Sequence, residues 1–188
     1  MNNPTADPYE QWIAEQTQRR LDRLRAARPA AYAAPGRLHP DIAAWADKVA
    51  IGEYGTLAIV GNIGVGKSWS LWAVAERLVA AGYRDRIEIT PAHRLRRLVT
   101  PPVDQAALDR LAAAGLLAVD DVGSVRISDW DSDRMATLLD PRWEDQRPTI
   151  LTSNQLNLKD LVGERTASRL SDRVTIVQMA GADRRRTA

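Results

Sequence analysis

The chain contains no cysteine and no phenylalanine. Without cysteine it can form neither disulfides nor thiolate metal sites. Its two histidines, His39 and His93, stand far apart, and no zinc-site spacing surrounds either. No apolar run approaches the ~18 residues that a membrane-spanning helix needs. The start, Met1-Asn2-Asn3-Pro4, has neither the basic nor the apolar part of a signal peptide. The expectation is a cytoplasmic protein with no membrane partner. Net charge is also scarce, at +2 over 188 residues, too little to imply nucleic-acid binding by itself.

What is present fits one domain with a short extension. Apolar residues make up 45% of the chain, enough to fill a core. Arginines cluster at Arg19, Arg20, Arg23 and Arg25, at Arg94, Arg96 and Arg97, and at Arg184, Arg185 and Arg186. Such clusters are either local anion contacts or solvated faces. Residues 8–27 read as a helix opened by Asp7-Pro8, with Trp12, Ile13, Leu21 and Leu24 on one stripe. Residues 26–40, with three prolines and a glycine, read as a linker, and 42–51 as a short helix. From there apolar strand runs (57–60, 86–89, 116–119, 149–151, 174–177) alternate with helical segments (67–80, 91–99, 104–114, 130–146, 163–172). That alternation predicts an α/β fold, a five-stranded parallel sheet flanked by helices. The division is a helical extension over 1–40 and a main domain over 41–188.

Between the first strand and its helix lies Gly61-Asn62-Ile63-Gly64-Val65-Gly66-Lys67-Ser68, which fits G-x-x-x-x-G-K-[ST] at every fixed position. Glycines let the backbone wrap closely around phosphate with N–H groups pointing inward, and the helix start adds partial positive charge. Lys67 is placed to reach the β- and γ-phosphates of ATP, and the Ser68 hydroxyl to coordinate Mg²⁺. Trp69 ends the nucleotide-binding stretch; with Trp72, three residues on, it is expected to pack into the core. The third strand run, Leu116 to Val119, ends in Asp120-Asp121. An acid there falls at the carboxyl edge of the sheet, where such sheets bind ligands. Asp120 is the candidate Mg²⁺ holder and Asp121 the candidate group to polarise the attacking water; the alternative is a plain acidic turn.

These motifs, with two further blocks, resemble the AAA+ ATPases of the DnaC/IstB type, the bacterial and phage helicase loaders and related transposition helpers. The likeness rests on the phosphate loop, on Leu116 to Gly123 (LLAVDDVG), on Arg142 to Asn154 (RWEDQRPTILTSN) and on Gly163 to Leu170 (GERTASRL). Gly181-Ala182-Asp183-Arg184-Arg185 is similar to the family's closing G-x-D-x-R. The resemblance covers about residues 38–188. The chain departs from the pattern at Trp69, often His, at Trp143, usually Tyr, and in its short N-terminal region.

The resemblance implies several roles. Asn154 would be the sensor 1 residue at the end of the fourth strand, beside the third, orienting the water or touching the γ-phosphate; a simple strand-to-turn asparagine is the alternative. Arg169 would be an arginine finger entering the neighbouring subunit's site, hence a homo-oligomer; a surface salt bridge to Glu164 or Asp172 is the alternative, and Arg165 and Arg173 are nearby substitutes. Residues 91–103 would face single-stranded DNA, with Arg94, Arg96 and Arg97 as phosphate contacts. No helical lid domain is expected after the fifth strand. The partner would be a replicative helicase of the DnaB type, with ATP and Mg²⁺ acting as a switch. A transposition helper, a small P-loop kinase and a binding module without turnover are the alternatives.

Overall fold

The computed structural model describes residues 7–122, 129–155 and 157–183. Gly123 of the acidic block and the Arg184–Arg186 cluster lie outside them. The elements run α1 (Pro8–Ala27), α2 (Pro40–Ala50), β1 (Thr56–Gly61), α3 (Lys67–Ala80), β2 (Ile87–Pro91), α4 (Ala92–Val99) and α5 (Gln105–Ala112). Then come β3 (Leu116–Asp120), α6 (Asp129–Glu144), β4 (Thr149–Ser153), α7 (Leu158–Val162), α8 (Glu164–Leu170) and β5 (Val174–Met179). The five strands form one parallel sheet in the order β2-β3-β4-β1-β5. The expected α/β fold is therefore the observed one, and α7 is a short helix that the apolar pattern does not announce.

Strand order follows from burial. Leu57, Ile59, Leu116, Leu117, Val119, Ile150 and Leu151 are all at most 1% exposed, so β1, β3 and β4 are covered on both faces. One face packs on α2 and α3, through Ile42, Trp45, Val49, Leu71, Val74 and Leu78. The other packs on α4, α5, α6 and α8, through Leu95, Leu111, Leu138, Leu139 and Leu170. The register aligns Val60 of β1 with Ser153 of β4, so β1 and β4 end level. Val119 of β3 aligns with Leu151 of β4. The carboxyl ends of all three strands therefore open on one edge.

Helix α1 starts as the Asp7-Pro8 pair foretells, with the Asp7 side chain accepting the Tyr9 N–H at 3.0 Å. Of its stripe, Trp12 is exposed while Ile13, Leu21 and Leu24 are half-buried. No residue of α1 is buried, and Tyr9 and Trp12 stack on one another while 63% and 51% exposed. Polar contacts also dock the later turns. Arg20 donates to the carbonyls of Tyr83 and Asp85 at 2.6 and 2.9 Å, and Arg28 pairs with Glu76 of α3 at 2.8 Å.

One arginine organises the far, amino edge of the sheet. Arg142 of α6 is fully buried. Its Nε donates to Thr149 Oγ1 at 3.0 Å, and its other nitrogens to the carbonyls of Leu111, Ala112, Ala114, Gly115 and Pro148 at 2.6–3.5 Å. These carbonyls end α5 and lead into β3 and β4. Exposed C-terminal helix carbonyls carry partial negative charge, which a guanidinium complements. Burial still pushes the Arg142 pKa down to about 10, with the nearby Arg147 adding to the shift.

Candidate functional site

At the carboxyl edge, the loop from Gly61 to Ser68 borders a cavity of about 780 Å³. Gly64, Gly66, Lys67, Ser68, Asp120, Asp121, Thr152 and Asn154 all line it. Three separate strand ends thus converge: the loop follows β1, the acidic pair ends β3, and Asn154 follows β4. The loop holds Gly64 at φ 84, a left-handed conformation that favours glycine. A side chain at Gly64 would also run into the Asp183 carboxylate, which places the closing Gly181–Asp183 stretch against the loop. Helix α3 begins at Lys67, and no side chain caps its first N–H groups.

The charged groups are tied to one another. The Lys67 ammonium, 8% exposed, donates to Gly61 O at 2.7 Å, Asn62 O at 2.8 Å and Asn154 Oδ1 at 2.6 Å. It therefore links the loop directly to the residue expected as the sensor. The Ser68 hydroxyl donates to Asp120 Oδ1 at 3.0 Å. The same oxygen accepts from the Thr152 hydroxyl at 2.6 Å. Ser68 and Asp120 are hard oxygen donors held side by side, the kind of set that Mg²⁺ takes with water and phosphate oxygens completing the shell. Among the described residues no group of three or more His, Cys, Asp or Glu comes together as an all-protein metal cage.

Of the remaining loop residues, Asn62 and Ile63 are exposed, Ile63 at 63%, while Val65 is buried at 2% and anchors the loop below. Trp69 needs a correction. Neither it nor Trp72 is in the core; both are half-buried. The Trp69 indole N–H donates to Ala34 O at 2.8 Å, and the Arg28 guanidinium lies 5.7 Å from its ring centroid. This contact draws the segment read as a linker over the site, where Ala31, Tyr32 and Pro35 form one wall of the cavity. The sequence carries a faint signal for it: apolar and small residues among the prolines.

Arg169 does not reach its own chain's cavity. It lies at the opposite edge, beside Tyr54, Thr56 and Thr149 at the beginnings of β1 and β4. It pairs with Asp140 at 2.5 Å and Glu144 at 3.6 Å, and its guanidinium lies 5.2 Å from the Trp143 ring centroid. The Glu164 and Asp172 partners weighed for it are thus replaced by two carboxylates of α6. Arg165 is more exposed and approaches Asp140 at 3.7 Å; Arg173 packs over Tyr54. On α4, Leu95 and Val99 are buried and Arg94, Arg96 and Arg97 are exposed.

No protein-family model matches the chain. Over 101 residues, 52% of its length, it is 29% identical to the replicative helicase loader DnaI of Bacillus subtilis (strain 168). That match spans 32% of DnaI, about a third of the relative's length. Among solved structures, the DnaC helicase loader superposes with a TM-score of 0.61 at 22% identity, over 74% of this chain and 86% of that one. DnaA from Aquifex aeolicus, solved with AMPPCP bound, gives 0.61 at 18% identity, over 77% and 46%. The chain thus shares its fold with the DnaC helicase loader and DnaA, and over the matched stretch its sequence is similar to the helicase loader DnaI.

Proposed function

We propose that the chain is an ATP-dependent helicase loader that binds and hydrolyses ATP with Mg²⁺ and acts on a replicative helicase of the DnaB type and on single-stranded DNA. The observation that carries the reading is the convergence of Lys67, Ser68, Asp120, Asp121 and Asn154 on one cavity at the ends of β1, β3 and β4. The loop's N–H groups and Lys67 would hold the phosphates. Ser68 and Asp120 would hold Mg²⁺, which when bound neutralises charge on the phosphoryl group. Asp121, next in the chain and exposed to the cavity, would take a proton from the attacking water. Asn154 would sense the γ-phosphate through its contact with Lys67.

Among the described residues that line the cavity, Lys67 is the one cation. Arg169 would supply a second to the neighbouring subunit, which makes the active form a homo-oligomer and the lone subunit a slow enzyme. The exposed arginines of α4 would meet DNA phosphates, and the solvent-facing Tyr9–Trp12 end of the 1–40 extension would be free to meet the helicase. The chain would do this in the cytoplasm.

Affinity capture from the native host tests the reading. The tagged chain should retain a replicative helicase with ATP and Mg²⁺, and lose it when Lys67 is replaced by alanine. Capture of a transposase instead would move the chain to the transposition helpers, and capture of neither would remove the loader assignment.

A further inference from the structure

We propose that Thr152 is a positioning residue for the acidic pair: one hydroxyl on β4 sets both the direction of the Asp120 carboxylate and the backbone pose of Asp121. The proposal rests on the reading of Asp120 and Asp121 as the Mg²⁺ and water-activating groups. Thr152 is fully buried, in a strand whose neighbouring residues Ile150 and Leu151 are apolar. Its hydroxyl donates to Asp120 Oδ1 at 2.6 Å and accepts the Asp121 N–H at 2.8 Å. Its carbonyl oxygen accepts the Val122 N–H at 2.8 Å. Three consecutive residues leaving β3 are thus all bonded to one residue of β4.

The chemistry of a hydroxyl makes this arrangement directional. Threonine has one O–H proton and two lone pairs. The Asp121 N–H can only point at a lone pair, so the single proton is left to Asp120 and the rotor is fixed. Asp120 Oδ1 then accepts two hydroxyls, from Thr152 on one side and Ser68 on the other. Two donors converging on one oxygen hold the carboxylate beside Ser68. The second bond acts on the backbone. Asp121 has φ 60, in the left-handed region that few non-glycine residues occupy, aspartate more readily than most. The bond from its N–H to Thr152 Oγ1 holds the backbone there and fixes where the Asp121 side chain leaves the chain. A valine would fill the same space as Thr152, so a requirement for packing alone does not explain the hydroxyl.

The test compares Thr152→Val, which keeps the shape, with Thr152→Ser, which keeps the hydroxyl. Three measurements are made on the full chain. Calorimetry gives ATP affinity with and without Mg²⁺. Amide hydrogen exchange reports the Asp121 N–H. Steady-state hydrolysis separates kcat from KM. Thr152→Val should bind ATP without Mg²⁺ as the wild type does, but lose about tenfold to a hundredfold of the Mg²⁺-dependent gain, the weight of one charge-assisted hydrogen bond. Its Asp121 amide should exchange faster, and kcat should fall by a similar factor with KM little changed. Thr152→Ser should restore all three to within about threefold. If Thr152→Val matches the wild type in Mg²⁺ dependence and amide exchange, the proposal fails while the ATPase reading stands. If Thr152→Ser is as impaired as Thr152→Val, the methyl group matters and the proposal also fails. If the wild type itself binds no ATP, the parent reading fails and takes this one with it.

Discussion

Replacing Arg142 with methionine tests the scaffold beneath the site. Methionine fills a similar length without a charge. The wild-type guanidinium serves six acceptors from α5, the turn before β3, and the start of β4. Leu111 and Pro148 keep backbone donors from Ala114 and Leu117 after the change, whereas the Ala112 and Ala114 carbonyls depend on Arg142. Each buried acceptor left without a donor costs about 1–3 kcal/mol. Relief of the guanidinium's own desolvation, visible in its lowered pKa, offsets part of this. The balance is a loss of about 2–4 kcal/mol. For a chain of this size that lowers Tm by about 4–16 °C. Urea unfolding and calorimetric melting of Arg142→Met, Arg142→Lys and the exposed control Arg97→Met measure it. Arg142→Lys should fall between the other two, because an ammonium presents three donors from one point. A loss under about 1 kcal/mol for Arg142→Met would refute the view that this arginine fastens β3 and β4 at their beginnings.

Two further outcomes concern the assembled protein. Replacing Arg94, Arg96 and Arg97 together by alanine should weaken single-stranded DNA binding and reduce the slope of log K against log salt by about two, with ATP affinity kept; an unchanged slope would reject DNA contact by α4. Lys67→Ala and Arg169→Ala, each inactive alone, should recover part of the ATPase activity when mixed, because some interfaces then pair an intact loop with an intact arginine. Should the mixture stay inactive although the two variants co-assemble, Arg169 does not act across subunits.

The fold was legible because each strand is a short, continuous apolar run and each intervening helix has its own period. The candidate site was legible where chemistry would force local sequence, as in Gly61 to Ser68 and in the acids ending β3, which line one cavity. What stayed hidden depends on long-range contact. Arg142 looks in sequence like one more surface arginine, and only the meeting of the α5 carbonyls with Pro148 and Thr149 reveals its burial. Trp69 reads as core because it stands three residues from Trp72 on the helix after the loop. Its ring instead lies against residues 28–36, some 35 positions earlier, a contact no period encodes. The α1 stripe alone does not say what it faces; in the structure Ile13, Leu21 and Leu24 are half-buried, and Arg25 and Arg28 pair with Glu76 of α3.

Binding of ATP by the wild type and by Lys67→Ala, titrated by calorimetry with Mg²⁺ present, bears most directly on the central claim. Lys67 is held at the cavity by Gly61, Asn62 and Asn154 and supplies the loop's one side-chain cation. Its loss removes charge-assisted bonds to phosphate that are together worth about 3 kcal/mol or more, a factor of about a hundred in Kd. The account predicts measurable binding for the wild type and a loss of at least that factor for a variant that circular dichroism shows to be folded. Equal affinity in the two proteins would contradict it.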